Sequence, residues 1–166
     1  MAFKLAQFST AEGAEHENTT TIGSIAKKTF AIGELMPGKV YGFECGVVVN
    51  DNNSTDTLTL GLTFGTNATT PGSNTAIASG GAVDVADADV GMVRGTIHVQ
   101  SATRYVFHVD IADPDAVGTI TLDNHGPVLF TAVANTAYTL DVSADWSVTH
   151  ADNEVAAMSF AVWEIV

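Results

Sequence analysis

The sequence is short of the residues on which several classes of protein depend. Cys45 is its one cysteine, so no disulfide can form within the chain. Cys45 shares a parity with Tyr41, Phe43, Val47 and Val49, which assigns it the role of a small buried apolar residue. Glu44 beside it argues against an activated thiolate. Lys and Arg together number six against nineteen Asp and Glu, for a net charge of −13. Phosphate binding needs clustered Lys and Arg, and the only basic pair is Lys27-Lys28, so no nucleic-acid partner is expected. No stretch approaches the roughly 20 apolar residues of a membrane span, so no membrane partner is expected either. The N-terminal stretch MAFKLAQFSTAEGAEHEN lacks the apolar run of a signal peptide, which predicts synthesis in the cytoplasm. The four Asn-x-Ser/Thr sequons beginning at Asn18, Asn52, Asn53 and Asn67 are then by-products of a sequence rich in Asn and Thr.

A helical apolar stripe is also missing, and strand patterns take its place. Tyr138, Leu140, Val142, Ala144, Trp146 and Val148 fall on one parity, and Thr139, Asp141, Ser143, Asp145 and Ser147 on the other. This alternation predicts a strand with one face on a core and the other in water. A polar turn, Thr149 to Glu154, leads into Val155 to Val166. Val40 to Val49, with Tyr41, Phe43, Cys45, Val47 and Val49 inward, and Thr57 to Phe64, with Leu58, Leu60, Leu62 and Phe64 inward, read as a strand and its return. Val90 to Gln100 and Arg104 to Ile111 read as a hairpin around Ser101-Ala102-Thr103. That register sets Gln100 opposite Arg104, His98 opposite Val106, Thr96 opposite His108 and Arg94 opposite Asp110. Val117 to Leu122 and Val128 to Ala134 are further strands. At 166 residues one domain is expected, burying about two-thirds of its unfolded surface. About eight strands, tight turns and one long connection, Gly65 to Gly81, predict an all-β, two-sheet jelly-roll sandwich over residues 19–166. Residues 1–18 read as an N-terminal arm, either a short helix or an extended segment lying on a neighbour.

Three segments resemble a recurrent domain of tailed-bacteriophage virion proteins. They are Leu35-Met36-Pro37-Gly38-Lys39-Val40-Tyr41, Asn52 to Leu60, and Leu140 to Val148 with its Ala-Asp-Trp-Ser core. The resemblance runs from about Thr19 to Val166 and leaves the arm uncovered. It implies a jelly-roll module with a capsid-decoration, head-fibre or tail role. The expectation is a non-enzymatic virion structural protein on the outer capsid surface, a decoration or cement protein stabilising a phage head. The alternative is a glycan- or receptor-binding module of a head or tail fibre. The implied partners are the major capsid protein and copies of the chain itself, in a homotrimer.

Constellations that carry chemistry are sparse. There is no Gly-x-Ser-x-Gly elbow, no Cys/His arrangement and no phosphate-cradling loop, so no catalytic residue is expected. His98 and His108 share an outward parity on neighbouring strands, but two imidazoles without an acidic or thiolate partner make a poor zinc site. Asp84, Asp87 and Asp89, and the loop Asp51/Asn53/Thr55, read as solvated turn residues. That loop departs from a calcium-binding EF-hand because Asp56 stands where the tight-turn glycine belongs. Neither metal nor cofactor is therefore expected. Trp146 belongs to the core by parity. Val155 to Val166 is apolar on both parities, which predicts that its second face is covered by the arm or by another subunit. Phe3, Leu5 and Phe8 of the arm, with Trp163, are the candidate partner-binding residues.

Overall fold

Alternating β-branched and aromatic residues favour a pleated backbone with one greasy face. A computed structural model of the protein describes the backbone of residues 3–9 and the full residues 15–53, 55–114 and 122–165. Its strands are β1 (Phe3–Ser9), β2 (His16–Glu17), β3 (Gly23–Phe30), β4 (Val40–Asp51), β5 (Thr57–Gly65) and β6 (Thr75–Ser79). They continue with β7 (Val83–Asp84), β8 (Val90–Ser101), β9 (Arg104–Ala112), β10 (Leu122–Thr131), β11 (Tyr138–Trp146) and β12 (Glu154–Ile165). A single 3₁₀ turn, Pro71–Ser73, is the only helical piece among the described residues. The expected strand at Val117 to Leu122 lies almost wholly outside them.

Two sheets face one another. The first runs β1-β12-β4-β8-β9-β10, with β2 also on β12; the second runs β3-β11-β5-β6, with β7 also on β5. Successive strands cross from one sheet to the other: β3 to β4, β4 to β5, β7 to β8, β10 to β11, and β11 to β12. This interleaving is the jelly roll, with the β9–β10 hairpin widening its first sheet. Within the segment read as an arm, Phe3–Ser9 is the outermost strand of that sheet, antiparallel to β12.

The crossing corrects two pairings. β4 and β5 belong to opposite sheets, as do β11 and β12, so neither pair is a hairpin. Their inward residues meet across the core instead. Phe64 is fully buried there, 5.1 Å from Tyr138 in a stacked arrangement and 5.0 Å edge-on from both Phe107 and Phe130. Trp146 is also in the core, and its indole Nε1 donates to the His16 carbonyl at 3.3 Å. Cys45 is buried, and burial pushes its thiol up to about 12.

The β8–β9 register matches expectation at Arg94–Asp110, Thr96–His108 and His98–Val106. It differs at the tip, where Ser101, not Gln100, pairs with Arg104. Gln100 is the extra residue of a bulge, and the turn proper is Ala102-Thr103.

A second bulge, between Ala157 and Ser159, explains why β12 is apolar on both parities. Val155 and Ala157 face the core before it, and Phe160 and Val162 after it. Half of the pattern that suggested two covered faces is thus one face read through a change of phase. Met158, at the bulge, is 44 % exposed, and Ala161, Trp163 and Ile165 are half-buried on the outer side.

The larger departure concerns β11. Its polar parity was expected in water, yet Thr139, Asp141 and Ser143 are buried. Residues 66–74 fold back over the outer face of the second sheet. Lys27 Nζ donates to the Ala68 carbonyl at 2.8 Å, and Gly72 lies against Ile22 so closely that a Cβ would fall 2.5 Å from Ile22 Cγ2. Asn67 and Asn74 brace the loop: Asn74 Nδ2 donates to the Asn67 carbonyl at 2.8 Å, and Asn67 Oδ1 accepts from the Thr69 and Thr70 amides at 2.9 Å.

Candidate functional site on the outer face of the first sheet

The three arm residues fall on β1, whose backbone pairs with β12, the strand that carries Trp163. Register places Phe3 opposite Ile165, Leu5 opposite Trp163 and Phe8 opposite Ala161. Trp163, Ala161 and Ile165 occupy the β12 positions that face away from the core. On its other side Trp163 pairs with Gly42 of β4. A Cβ at Gly42 would sit 2.4 Å from Trp163 Cε2, so the absence of a side chain there is what lets the indole lie across the strand.

From Gly42 the same row continues through Thr96 to His108. The His98 and His108 rings stand edge-to-face at 5.3 Å, and His98 Nε2 lies 3.2 Å from Thr96 Oγ1. Burial, then the neighbouring His108, lowers the pKa of His98, which keeps its ring neutral near pH 7. One row along, Glu44, Arg94, Asp110 and Asn124 follow each other across four strands. Arg94 Nε is 3.5 Å from Asp110 Oδ2, and Asn124 Nδ2 donates to Asp110 Oδ1 at 2.6 Å. The row on the other side, Ile165, Val40, His98, Val106 and Leu129, is aliphatic apart from its histidine. Leu129 is 54 % exposed. The face therefore offers one indole and an aliphatic band for contact, with neutral imidazole, hydroxyl and amide groups for hydrogen bonding.

Other polar groups are tied into structure. The acidic residues of two loops pin backbone: Asp87 Oδ1 accepts from the Asn52 amide at 2.9 Å and Asp89 Oδ2 from the Ala86 amide at 2.8 Å. Asp56 is buried and accepts from Asn153 Nδ2 at 2.9 Å. Asp113 is buried where the β6–β7 connection meets the β9–β10 hairpin; its Oδ2 and Asp123 Oδ2 each lie 3.2 Å from the Gly81 amide. Burial, reinforced by Asp123, pushes its pKa up to about 6. Glu15, Glu17 and Glu154 bring carboxylate oxygens within 4.8 Å of one another at the β2–β12 pair, and Glu154 Oε1 accepts from Asn50 Nδ2 at 2.7 Å. Sequence spacing gave no hint of this trio, because β2 pairs with β12 across more than a hundred residues. A cavity of about 220 Å³ at one end of the sandwich is lined by Phe30, Leu35, Met36, Pro37 and Tyr105 among others, with no carboxylate or imidazole. It brings no general acid–base pair together.

A scan against protein-family models finds no match to this chain, and a search of curated proteins finds no similar sequence.

Proposed function

We propose that the protein is a non-enzymatic structural subunit of a phage particle. In this reading it is a decoration or cement protein that sits on the major capsid protein at the outer surface of the head, as a homotrimer. The observation that carries the reading is the outer face of the first sheet, where Trp163, Ile165, Val40 and Val106 are half-buried and Leu129 is exposed, around paired polar groups. Such a mixed aromatic and aliphatic surface suits contact with another protein. The interleaved strand order also agrees with the resemblance of the three sequence segments to virion jelly rolls. The net charge of −13 discourages indiscriminate association, leaving docking to shape and apolar contact. The trimer comes from the resemblance.

The test is the protein's location and copy number in purified particles of the phage that encodes it. Hundreds of copies on the head, and heads that rupture more readily once it is stripped, are the expected results. A few copies at the tail tip would overturn the reading. One feature favours a second reading, a glycan-binding module: an indole laid over glycine beside Thr96 and His108 is a platform on which a sugar ring can stack. Glycan-array binding by the wild type that is lost in Trp163→Ala is the result this alternative requires.

A further inference from the structure

The two ends of the sandwich differ in charge. At one end Asp51 pairs with Glu154, Glu154 with Glu17, and Thr57 with Asp84, so the segments 15–17, 51–56, 84–89 and 145–154 gather there. They hold ten carboxylates and no Lys or Arg. At the other end the β3–β4 connection, residues 31–39, meets the β8–β9 turn and the β10–β11 connection, residues 132–137. Among the described side chains there, Lys28 is 2.9 Å from Glu34 and Lys39 is 2.7 Å from Glu164, which leaves the exposed Arg104 as a surplus positive charge. β11 has nine residues, which at about 3.3 Å each sets the ends roughly 30 Å apart. That is about three Debye lengths at physiological salt, so the acidic end exerts little repulsion at this one.

The less charged end is also greasy. Val133 and Ile32 are 67 % and 64 % exposed, more than any other large apolar side chain among the described residues, and Met36 is 43 % exposed. Met36 lines the open cavity of about 220 Å³; Ile32 stands between two of its lining residues, Ala31 and Gly33, and Val133 stands two before a third, Asn135. A cavity of about 150 Å³ admits a benzene ring, so this one has room for an isoleucine side chain. The connections are held in place. The Val133 amide donates to the Tyr138 hydroxyl at 2.6 Å, the Ala132 amide to the Thr103 carbonyl at 2.9 Å, and the Gly38 amide to the Val99 carbonyl at 2.7 Å. Apolar groups on a braced backbone dock with little ordering cost.

A closed homo-oligomer needs its complementary parts on one chain, and this end carries them together. Ile32 stands beside a cavity that fits it, and Arg104 shares the end with Glu34, whose side chain is 31 % exposed. Copies of a chain with net charge −13 repel wherever their acidic ends approach. Meeting at the loop ends turns the acidic ends away from each other. We propose that a second copy of this chain docks on this end, the Ile32 side chain of one protomer entering the cavity of the next. Arg104 then meets the Glu34 carboxylate across the contact. The number of copies, three, and the capsid as partner of the first sheet's outer face rest on the proposed function; the contact itself does not.

Sedimentation equilibrium of the full-length chain at about 0.15 M NaCl tests the contact. A dimer or trimer forming in the micromolar range is expected. Ile32→Asp/Val133→Asp should weaken it by about thirtyfold or more, the effect of losing a central apolar anchor. Leu129→Asp, on the outer face of the first sheet, should leave it unchanged. Concentration-dependent amide chemical shifts of the wild type give an answer even if the double variant does not fold, and shifts centred on residues 31–36 and 132–136 support the proposal. A wild type that stays monomeric through that range, an oligomer that survives the double variant, or shifts centred on β1 and β12 overturns it. Purified particles test the proposed function separately: a protein absent from heads yet oligomeric through Ile32 would sink that reading and keep this one.

Discussion

Asp141→Asn should stabilise the protein above neutral pH. Asp141 is fully buried on the outer face of the second sheet, and its carboxylate is short of hydrogen-bond partners. Burial raises its pKa from 3.8 to about 6, against the smaller opposing pull of the Ser24 hydroxyl and of Lys27, its register partner on β3. An acid that holds its proton more tightly when folded makes folding costlier wherever it is ionised. The cost is full above the folded pKa and is relieved as pH falls from about 7 toward the unfolded value near 4. About two pKa units correspond to roughly 3 kcal/mol. The asparagine amide brings donors that also need partners, which returns about 1 kcal/mol or more. The expected net gain at pH 8 is therefore about 1–2 kcal/mol. Near pH 4.5 the protonated acid and the amide are close isosteres, so the two proteins should converge. His16 titrates in the same range with the opposite sign: its buried ring has a lowered pKa, so stability is lost as pH falls below about 6.5. It is present in both proteins and cancels in the difference. Urea denaturation of wild type and variant in EDTA, at about pH 8, 6 and 4.5, measures the effect. A variant no more stable than wild type at pH 8, with a difference that does not change with pH, would refute the reasoning.

Phe64→Ala should cost about 3–5 kcal/mol, because the ring is fully buried and packs against Tyr105, Phe107, Phe130 and Tyr138; the shift in urea midpoint reads it. Cys45 should resist alkylation in the native protein at pH 8 and react promptly in urea, since burial suppresses its thiolate; intact mass after iodoacetamide treatment checks this. Arg94→Ala should change stability by no more than about 1 kcal/mol, because the pair with Asp110 is largely exposed; a larger loss in thermal denaturation would mean the row contributes more than a surface ion pair. Gly42→Val should dislodge the Trp163 indole from the strand it covers. A red shift in tryptophan emission with little change in far-ultraviolet circular dichroism is the expected signature.

Much of the functional surface was legible in the chain and some of it was not. Trp163 stood out because it interrupts a small-residue parity, and the arm residues because their apolar side chains precede a polar stretch. That the backbone of β1 pairs with β12 at Trp163, and that Trp163 lies in a row with Gly42, Thr96 and His108, follows from strand pairings that no local pattern encodes. The burial of the polar face around Asp141 and Ser143 was hidden for a different reason. In sequence these residues alternate with apolar ones as any solvent-facing set does. Only the folded chain, in which residues 66–74 return against Lys27 and Ile22 on the same face of the sheet, takes them out of water.

Local chemistry by itself determined which residues form strands and which side of each strand is apolar. Steric preference for the pleated backbone and the cost of wetting a greasy face act over a few neighbours. It likewise determined the β8–β9 pairing through Arg94–Asp110, because a tight turn leaves little choice of register. Tertiary structure decided which sheet each strand joins, sending β4 and β5, and β11 and β12, to opposite layers. It decided the phase of β12, where one extra residue at Met158 turns the other parity inward. It also decided the fate of the polar face of β11. These outcomes depend on contacts between segments far apart in the chain, whose energies no window of sequence contains.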